Sequence, residues 1–319
     1  MARTLPLSGR VAIVTGAGGG LGREYALLLA SRGAKVVVND YGGSLDGQKG
    51  GTSRAQKVVD EIQQAGGEAV ADGHDVSLDA EVPEIVETAQ RAFHQGIHIL
   101  INNAGTAGQM SDVGRDFNGP SFRRTWEIAA YGTNLLISAV WPLMVEQGYG
   151  RIVNTSSDSI YGFGGGGDGG YASSKGAVFA LTKDLGKASL KHGITINGVL
   201  PSAASRMSDL SPVIKQITSQ YFEASQVATF VGALADERCA VSGELFSVGG
   251  GRAARTTLAT FPGHRSNSVE GYLDNFDSVM GSAANVHIPA DCMDQVAYAI
   301  SQATDISVDE ARRATVLRE

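Results

Sequence analysis

The stretch Val11-Ala-Ile-Val-Thr-Gly-Ala-Gly-Gly-Gly-Leu-Gly22 decides the fold. Residues 11–14 are a short apolar, β-branched run, the composition of a buried strand. Glycines follow at 16, 18, 19, 20 and 22, and residues 23–31 carry apolar side chains at helical spacing. Strand, glycine turn and helix, in that order, form the setting in which a glycine fingerprint holds a dinucleotide. Glycine lets the backbone turn sharply and approach a pyrophosphate, and the helix N-terminus offers it unpaired N–H groups. The contacts expected here are Gly16, Gly20, Leu21 and Gly22.

Outward from the fingerprint, residues 34–39 read as the second strand and place Asp40 at its carboxyl end. Asp40 follows Gly22 by 40 − 22 = 18 positions, close to the spacing of the acid that binds the adenosine ribose. A carboxylate there accepts from both ribose hydroxyls and repels a 2′-phosphate, which favours NAD over NADP. Further strands are expected over 68–73, 97–102, 150–155, 194–200 and 243–248, with helices between them. The alternation predicts an α/β fold with a doubly wound, mostly parallel sheet of the Rossmann kind. Ligands in such sheets bind beyond the carboxyl ends of the strands. On that edge lie Asp75 and Val76, then Asn103, Ala104 and Gly105, then Pro201, Ser202 and Ala204. Asp75 can accept from an adenine amino group, whereas His74 reads as a surface residue. The glycine-rich loop 41–52 either folds over the adenine or simply connects. The long helix expected over 121–147 contains Pro142, where a bend is expected.

The chemistry is concentrated in Tyr171-Ala-Ser-Ser-Lys175, which opens the next helix. Positions i and i+4 share a helix face. A free tyrosine has a pKa of about 10, and a neighbouring ammonium is expected to lower it and make the phenol a usable proton acceptor. Lys175 can also hydrogen-bond the nicotinamide ribose. Ser157, at the end of the fifth strand, is positioned to bond the substrate oxygen, with Ser156 and Ser159 as alternatives for that role.

Thr15-Gly-Ala-Gly-Gly-Gly-Leu-Gly22, Asn102-Asn-Ala-Gly105, Ser157 and Tyr171-x-x-x-Lys175 together resemble the short-chain dehydrogenase/reductase family, over about residues 8–250. Val-Val-Val-Asn-Asp40-Tyr-Gly-Gly, Pro201-Ser-Ala-Ala-Ser-Arg-Met207 and Leu245-Phe-Ser-Val-Gly-Gly-Gly251 narrow it. They are similar to the (R)-3-hydroxyacyl-CoA dehydrogenase units of peroxisomal multifunctional enzyme type 2, also called 17β-hydroxysteroid dehydrogenase type 4. The resemblance implies NAD, a homodimer or homotetramer, Tyr171 as acid/base, Lys175 as its modulator and ribose clamp, and Ser157 as carbonyl stabiliser. The sequence departs from the family at three places. Ala129 stands where a helix Asn usually anchors a relay water, and Asn134 lies too far round the helix to replace it. The Ser157–Tyr171 spacing of 171 − 157 = 14 is one longer than usual, through the glycine-rich segment 162–170. Ser202 replaces the glycine of the family's Pro-Gly.

The composition narrows the function classes. A formal net charge of −7 without a basic stripe argues against a nucleic-acid partner. No apolar run is expected to span a membrane, and neither terminus reads as a leader or an address. Cys239 and Cys292, the only cysteines, fit a reducing cytoplasm and read as buried spectators. No His/Cys/Asp/Glu grouping has metal-ligand spacing, so no metal is expected. The expected organisation is a dehydrogenase domain over 1–251 and an extension over 252–319 with short helices at 269–280, 290–303 and 308–317, packed on the domain or on a partner subunit. Arg206, in an insertion over 205–223, is a candidate contact for an anionic head group. The expected activity is hydride transfer between nicotinamide and a secondary alcohol or ketone, most simply a 3-hydroxyacyl-CoA. A steroid or terpenoid alcohol is the alternative substrate, and a non-catalytic NAD-binding sensor or assembly subunit the alternative of another class.

Overall fold

The computed structural model describes residues 6–43, 51–107, 120–162, 169–205, 212–282, 286–304 and 306–315. Residues 44–50 of the loop beside Asp40, residues 163–168 of the glycine-rich segment and Arg206 lie outside them.

An eight-stranded sheet organises residues up to Arg255, in the order β3-β2-β1-β4-β5-β6-β7-β8. The strands are β1 (Val11–Thr15), β2 (Lys35–Asn39), β3 (Glu68–Asp72), β4 (Ile99–Asn102), β5 (Gly150–Thr155), β6 (Ile194–Pro201), β7 (Leu245–Gly249) and β8 (Arg252–Thr256). β1 to β7 pair in parallel. The strand order reverses between β1 and β4, which is where such sheets hold a ligand. The eighth strand is an addition to the seven read from sequence. It follows β7 through Gly250 and Gly251, both at positive φ, 59° and 75°, as a tight hairpin turn requires. The first compact unit of the chain ends at Arg255, within this strand.

Both faces of the sheet are covered, which is why its strands are apolar throughout rather than alternating. Ala12, Val14, Val36, Val38, Ile99 and Ile101 face one core, with helices α1 (Gly20–Ser31), α2 (Ser53–Gln64) and, later in the chain, Ala224–Leu234. Val11, Ile13, Val37, Leu100 and Ile152 face the other, with α3 (Val82–Phe93) and the long helix 120–146. Each of the Val, Ile and Leu side chains, when fully buried, contributes about 1.5–3 kcal/mol.

That long helix consists of α4 (Pro120–Trp126), a π-helical turn (Glu127–Tyr131) and α5 (Gly132–Glu146). The irregularity is therefore the π turn, and α5 runs on through Pro142. Contrary to the sequence expectation, residues 120–146 are long and apolar enough to cross a membrane by length and composition, but half of their most apolar 18-residue stretch is buried and Leu136, Ile137, Val140 and Met144 pack in the second core. It is a core helix. α6 (Gly170–Ser189), α7 (Pro212–Tyr221) and α8 (Ala224–Leu234) complete the domain.

Residues 256–319 form a second unit. It contains α9 (Val269–Leu273), α10 (Phe276–Met280), α11 (Cys292–Ala303) and α12 (Val308–Thr315). The single helix expected over 269–280 is thus two. Arg312 joins α12 to Asp294 of α11 at 2.7 Å, and His287 stacks on Tyr298 at 4.2 Å. The cysteines are not the buried residues expected: Cys239 is half-buried and Cys292, at the first turn of α11, is exposed.

Candidate active site

The site is assembled on the carboxyl edge of the sheet. Thr15 ends β1, and its hydroxyl accepts from the backbone N–H groups of Asn103 and Ala104, each at 3.0 Å. The Asn103 amide donates to the carbonyls of Thr15 at 2.9 Å and Gly16 at 3.2 Å. The end of β4 therefore braces the glycine turn, and the Asn103 side chain is committed to that brace. Gly22 is a packing residue: a Cβ there would sit 2.3 Å from the Gly16 carbonyl oxygen. No side chain caps the start of α1, so its first-turn N–H groups keep the arrangement that receives a phosphate.

Two cavities adjoin along this edge and share Gly16, Asn103 and Gly105. The first runs past Asp40, Tyr41, His74, Asp75, Val76 and Ala104. The buried Asp40 carboxylate accepts from Gly18 N–H at 2.9 Å and Gly42 N–H at 2.7 Å. An ionised carboxylate offers about four lone-pair sites, so acceptor capacity remains for two further donors. Asp75 lies in the same wall, ion-paired with Arg124 of α4. Burial raises the Asp75 carboxyl, but hydrogen bonds from Ser77 and Arg124 outweigh it and hold the group below the usual carboxylate range. His74, a third exposed by its side chain, bonds Asp72 at 2.9 Å and also reaches the cavity, a position that a surface reading misses.

The second cavity is lined by Gly20, Leu21, Ser157, Tyr171, Lys175 and Pro201, among others. α6 delivers Tyr171 and Lys175 from its first two turns, preceded by Gly169 at φ 74°. Lys175 is buried, and its Nζ donates to the Thr155 carbonyl at 2.7 Å. Desolvation lowers the Lys175 ammonium to about 8. Tyr171 differs from the expectation. Burial raises its phenol above the ordinary value and a hydrogen bond from its neighbour Ser157 only partly opposes this. Lys175 Nζ, 5.8 Å from the centre of the ring, does not reverse the direction. Burial, invisible in the Tyr-x-x-x-Lys spacing, is the stronger effect.

Of the three candidate serines, Ser157 is the one bonded to Tyr171. It also caps the turn Asp158–Tyr161 by accepting from Ser159 N–H at 3.1 Å. Ser156 Oγ donates to the Lys175 carbonyl at 2.8 Å and so pins α6 to β5. Ser159 Oγ is buried without a hydrogen-bond partner and does not line the cavity. Ala129 sits in the π turn with its carbonyl accepting from Thr133 Oγ1 at 2.7 Å, while Asn134 is exposed.

Beyond Pro201 the lining alternates. Ala203 and Ser205 face the second cavity, whereas Ser202 and Ala204 line neither. The backbone N–H of Ser202 bonds Val248 and that of Ala204 bonds Phe222, which sets which side of this extended segment is turned inward. Thr155, Tyr41 and Ile128 are further lining residues that the sequence reading did not name. Among the described residues no group of three His, Cys, Asp or Glu side chains could hold a metal ion.

The two adjoining cavities, the uncapped helix start and the Ser157–Tyr171–Lys175 set in the second of them fit a nicotinamide dinucleotide. The model of the family described as short chain dehydrogenase matches residues 10–211. The chain belongs to the short-chain dehydrogenase family. It is therefore an oxidoreductase acting on alcohol and ketone groups. A short-chain type dehydrogenase/reductase of Mycobacterium tuberculosis is 39% identical over 258 residues, 78% of this chain and 85% of the relative. The peroxisomal multifunctional enzyme type 2 of Drosophila melanogaster is 39% identical over 79% of this chain, which spans 40% of that protein's length. A 7α-hydroxysteroid dehydrogenase solved with NADH and 7-oxo glycochenodeoxycholic acid superposes with a TM-score of 0.65 at 31% identity, covering 78% of this chain and 98% of its own.

Proposed function

We propose that this short-chain dehydrogenase interconverts a 3-hydroxyacyl-CoA and its 3-oxo form with NAD. The observation that carries the reaction class is that Ser157, Tyr171 and buried Lys175 line one cavity, which adjoins that of Asp40. When bound, nicotinamide supplies or accepts the hydride. The chain handles the proton. In reduction, neutral Tyr171 donates its phenolic proton to the carbonyl oxygen while Ser157 bonds the same oxygen. In oxidation, the carbinol proton passes to the Tyr171 oxygen. Lys175, held by Thr155, keeps a positive charge below Tyr171, and fixing the reacting groups side by side lowers the barrier further. Asp40, with acceptor capacity for two ribose hydroxyls and a charge that repels a 2′-phosphate, supports NAD over NADP.

The CoA thioester is supported by the likeness to multifunctional enzymes type 2 over 79% of the chain. A steroid alcohol is the second reading, supported by the 7α-hydroxysteroid dehydrogenase likeness. The same proposal takes the protein as a cytoplasmic homodimer or homotetramer; exposed Trp126 and Tyr131 on the long helix are apolar surface that such an assembly can cover.

The test is NADH formation from (R)- and (S)-3-hydroxyacyl-CoA thioesters of several lengths beside a panel of steroid and terpenoid alcohols. Turnover confined to thioesters of one hand supports the proposal. Turnover on free alcohols alone keeps the chemistry and removes CoA. In Tyr171→Phe, turnover is expected to fall about 10²–10⁴-fold, the usual size of general acid–base catalysis, with NAD binding retained. Tight NAD binding without turnover on any substrate would instead indicate a sensor or assembly subunit.

A further inference from the structure

Arg124, at the end of α4, ties two strand ends together. Its Nη1 donates to Ser77 Oγ, and its Nη2 donates to Asp75 Oδ2 and, at 3.3 Å, to the Tyr41 hydroxyl. The guanidinium carbon also lies 5.8 Å from the centre of the Tyr41 ring. Asp75 Oδ1 is filled separately, by Ser77 N–H at 2.9 Å and Ser77 O–H at 2.7 Å. Of the roughly four lone-pair sites of this carboxylate, three are taken, and one remains on the oxygen that Arg124 holds. Asp75 and Tyr41 both line the first cavity, next to Asp40.

We propose that Arg124 is a positioning residue for the purine end of the cofactor, fixing Asp75 and Tyr41 so that the site takes a 6-aminopurine and rejects a 6-oxopurine. This rests on the NAD reading above. The fork holds Asp75 ionised, so its remaining site can only accept. A 6-amino group donates to such a site. A 6-oxo group presents a lone pair to it. A 6-oxopurine also carries an N1–H donor beside the oxygen, which a carboxylate free to swing can reach. A carboxylate pinned at both oxygens cannot. Rejection therefore depends on the fixed orientation as well as on the charge, and Arg124 supplies both.

The experiment is calorimetric titration of the full chain with NAD and with nicotinamide hypoxanthine dinucleotide, in wild type, Arg124→Met and Arg124→Lys. Wild type is expected to bind NAD at least tenfold tighter, the size of one mismatched polar contact. In Arg124→Met the preference is expected to shrink below about threefold, chiefly by loss of NAD affinity, with Arg124→Lys between the two. Should Arg124→Met fail to fold, Ser77→Ala, which removes one bond to Oδ1 and one to Arg124, carries the same comparison and is expected to reduce the preference. Equal binding of the two dinucleotides by wild type overturns the inference but leaves the cofactor reading standing. Weakening of both by the same factor in Arg124→Met also overturns it, since that marks a general structural role. No binding of either by wild type sinks the cofactor reading and this inference with it.

Discussion

Lys175 donates from its buried ammonium to the Thr155 carbonyl at 2.7 Å, tying the catalytic helix α6 to the end of β5. Desolvation lowers this group to about 8, while burial raises Tyr171, its neighbour one turn earlier. At neutral pH the site therefore holds a protonated phenol beside a charged lysine, the state competent to give a proton to a ketone.

From this follows a pH profile. Reduction should be fastest below about 8 and fall above it as Lys175 loses its charge. Because kcat/KM reports groups of the free enzyme, the falling limb belongs in kcat/KM for ketone reduction. Lys175→Arg, which stays charged, should move that limb out of range in whatever activity it retains. A limb unmoved by Lys175→Arg would assign it to another group.

Stability carries the same signature with a definite sign. The Lys175 value is about 8 in the fold against an ordinary value near 10.5, so between them the unfolded chain binds more protons. Wild-type stability therefore gains with rising pH across that window, and the cost of the buried charge is complete below it. Lys175→Met removes the titrating group. The stability of Lys175→Met relative to wild type should fall between pH 7 and pH 10 by on the order of 1–3 kcal/mol. Urea denaturation at both pH values measures it, and a pH-independent difference would count against a buried ammonium.

What was legible in the sequence depended on local rules. Residues 11–14 and 34–39 declare buried strands by β-branched content, and Tyr171 and Lys175 share a face by spacing alone. Arg252-Ala-Ala-Arg-Thr256 has no such composition and is a strand only because β7 lies beside it. The Arg124–Asp75 pair joins positions 49 apart, and nothing in either neighbourhood announces the other. That Ala203 and Ser205, rather than Ser202 and Ala204, line the cavity is set by bonds to distant residues, Ser202 N–H to Val248 and Ala204 N–H to Phe222, which no local pattern displays. The Tyr171 direction is not legible for a related reason: the sequence displays the nearby charge but not the depth of burial.

The glycine turn separates packing from binding. A Cβ at Gly22 would meet the Gly16 carbonyl oxygen at 2.3 Å and the Asn103 amide nitrogen at 2.6 Å, neither of which can move without breaking the brace. Gly22→Ala should therefore destabilise the domain by about 1–3 kcal/mol. Gly19 has nothing within 4 Å of its Cβ position, an extended φ of 176° and a place in the cavity wall. Gly19→Ala should stay within about 0.5 kcal/mol of wild type yet weaken NAD. Thermal melts beside NAD titrations test the pair. Equal losses of stability in both variants would dissolve the distinction.

Asp40 gives the last prediction. Its two oxygens accept from Gly18 and Gly42 and keep capacity for the ribose, at a point where a 2′-phosphate would meet a full negative charge. Arg54 is also close by, because a Cβ at Gly18 would strike both side chains, but its guanidinium is directed to the Gly43 carbonyl at 3.2 Å. Removing the carboxylate therefore does two things. On the NAD reading it deletes the acceptors for the ribose hydroxyls, which should weaken NAD, and it removes the negative charge nearest Arg54, which should favour NADP. Asp40→Ala should lower the NAD-to-NADP ratio of kcat/KM by about 10–100-fold, the equivalent of roughly 1.4–2.8 kcal/mol. Asp40→Ala combined with Arg54→Ala should lose the NADP gain while keeping the NAD loss. A ratio unchanged in Asp40→Ala would show that cofactor choice is made elsewhere on this edge of the sheet.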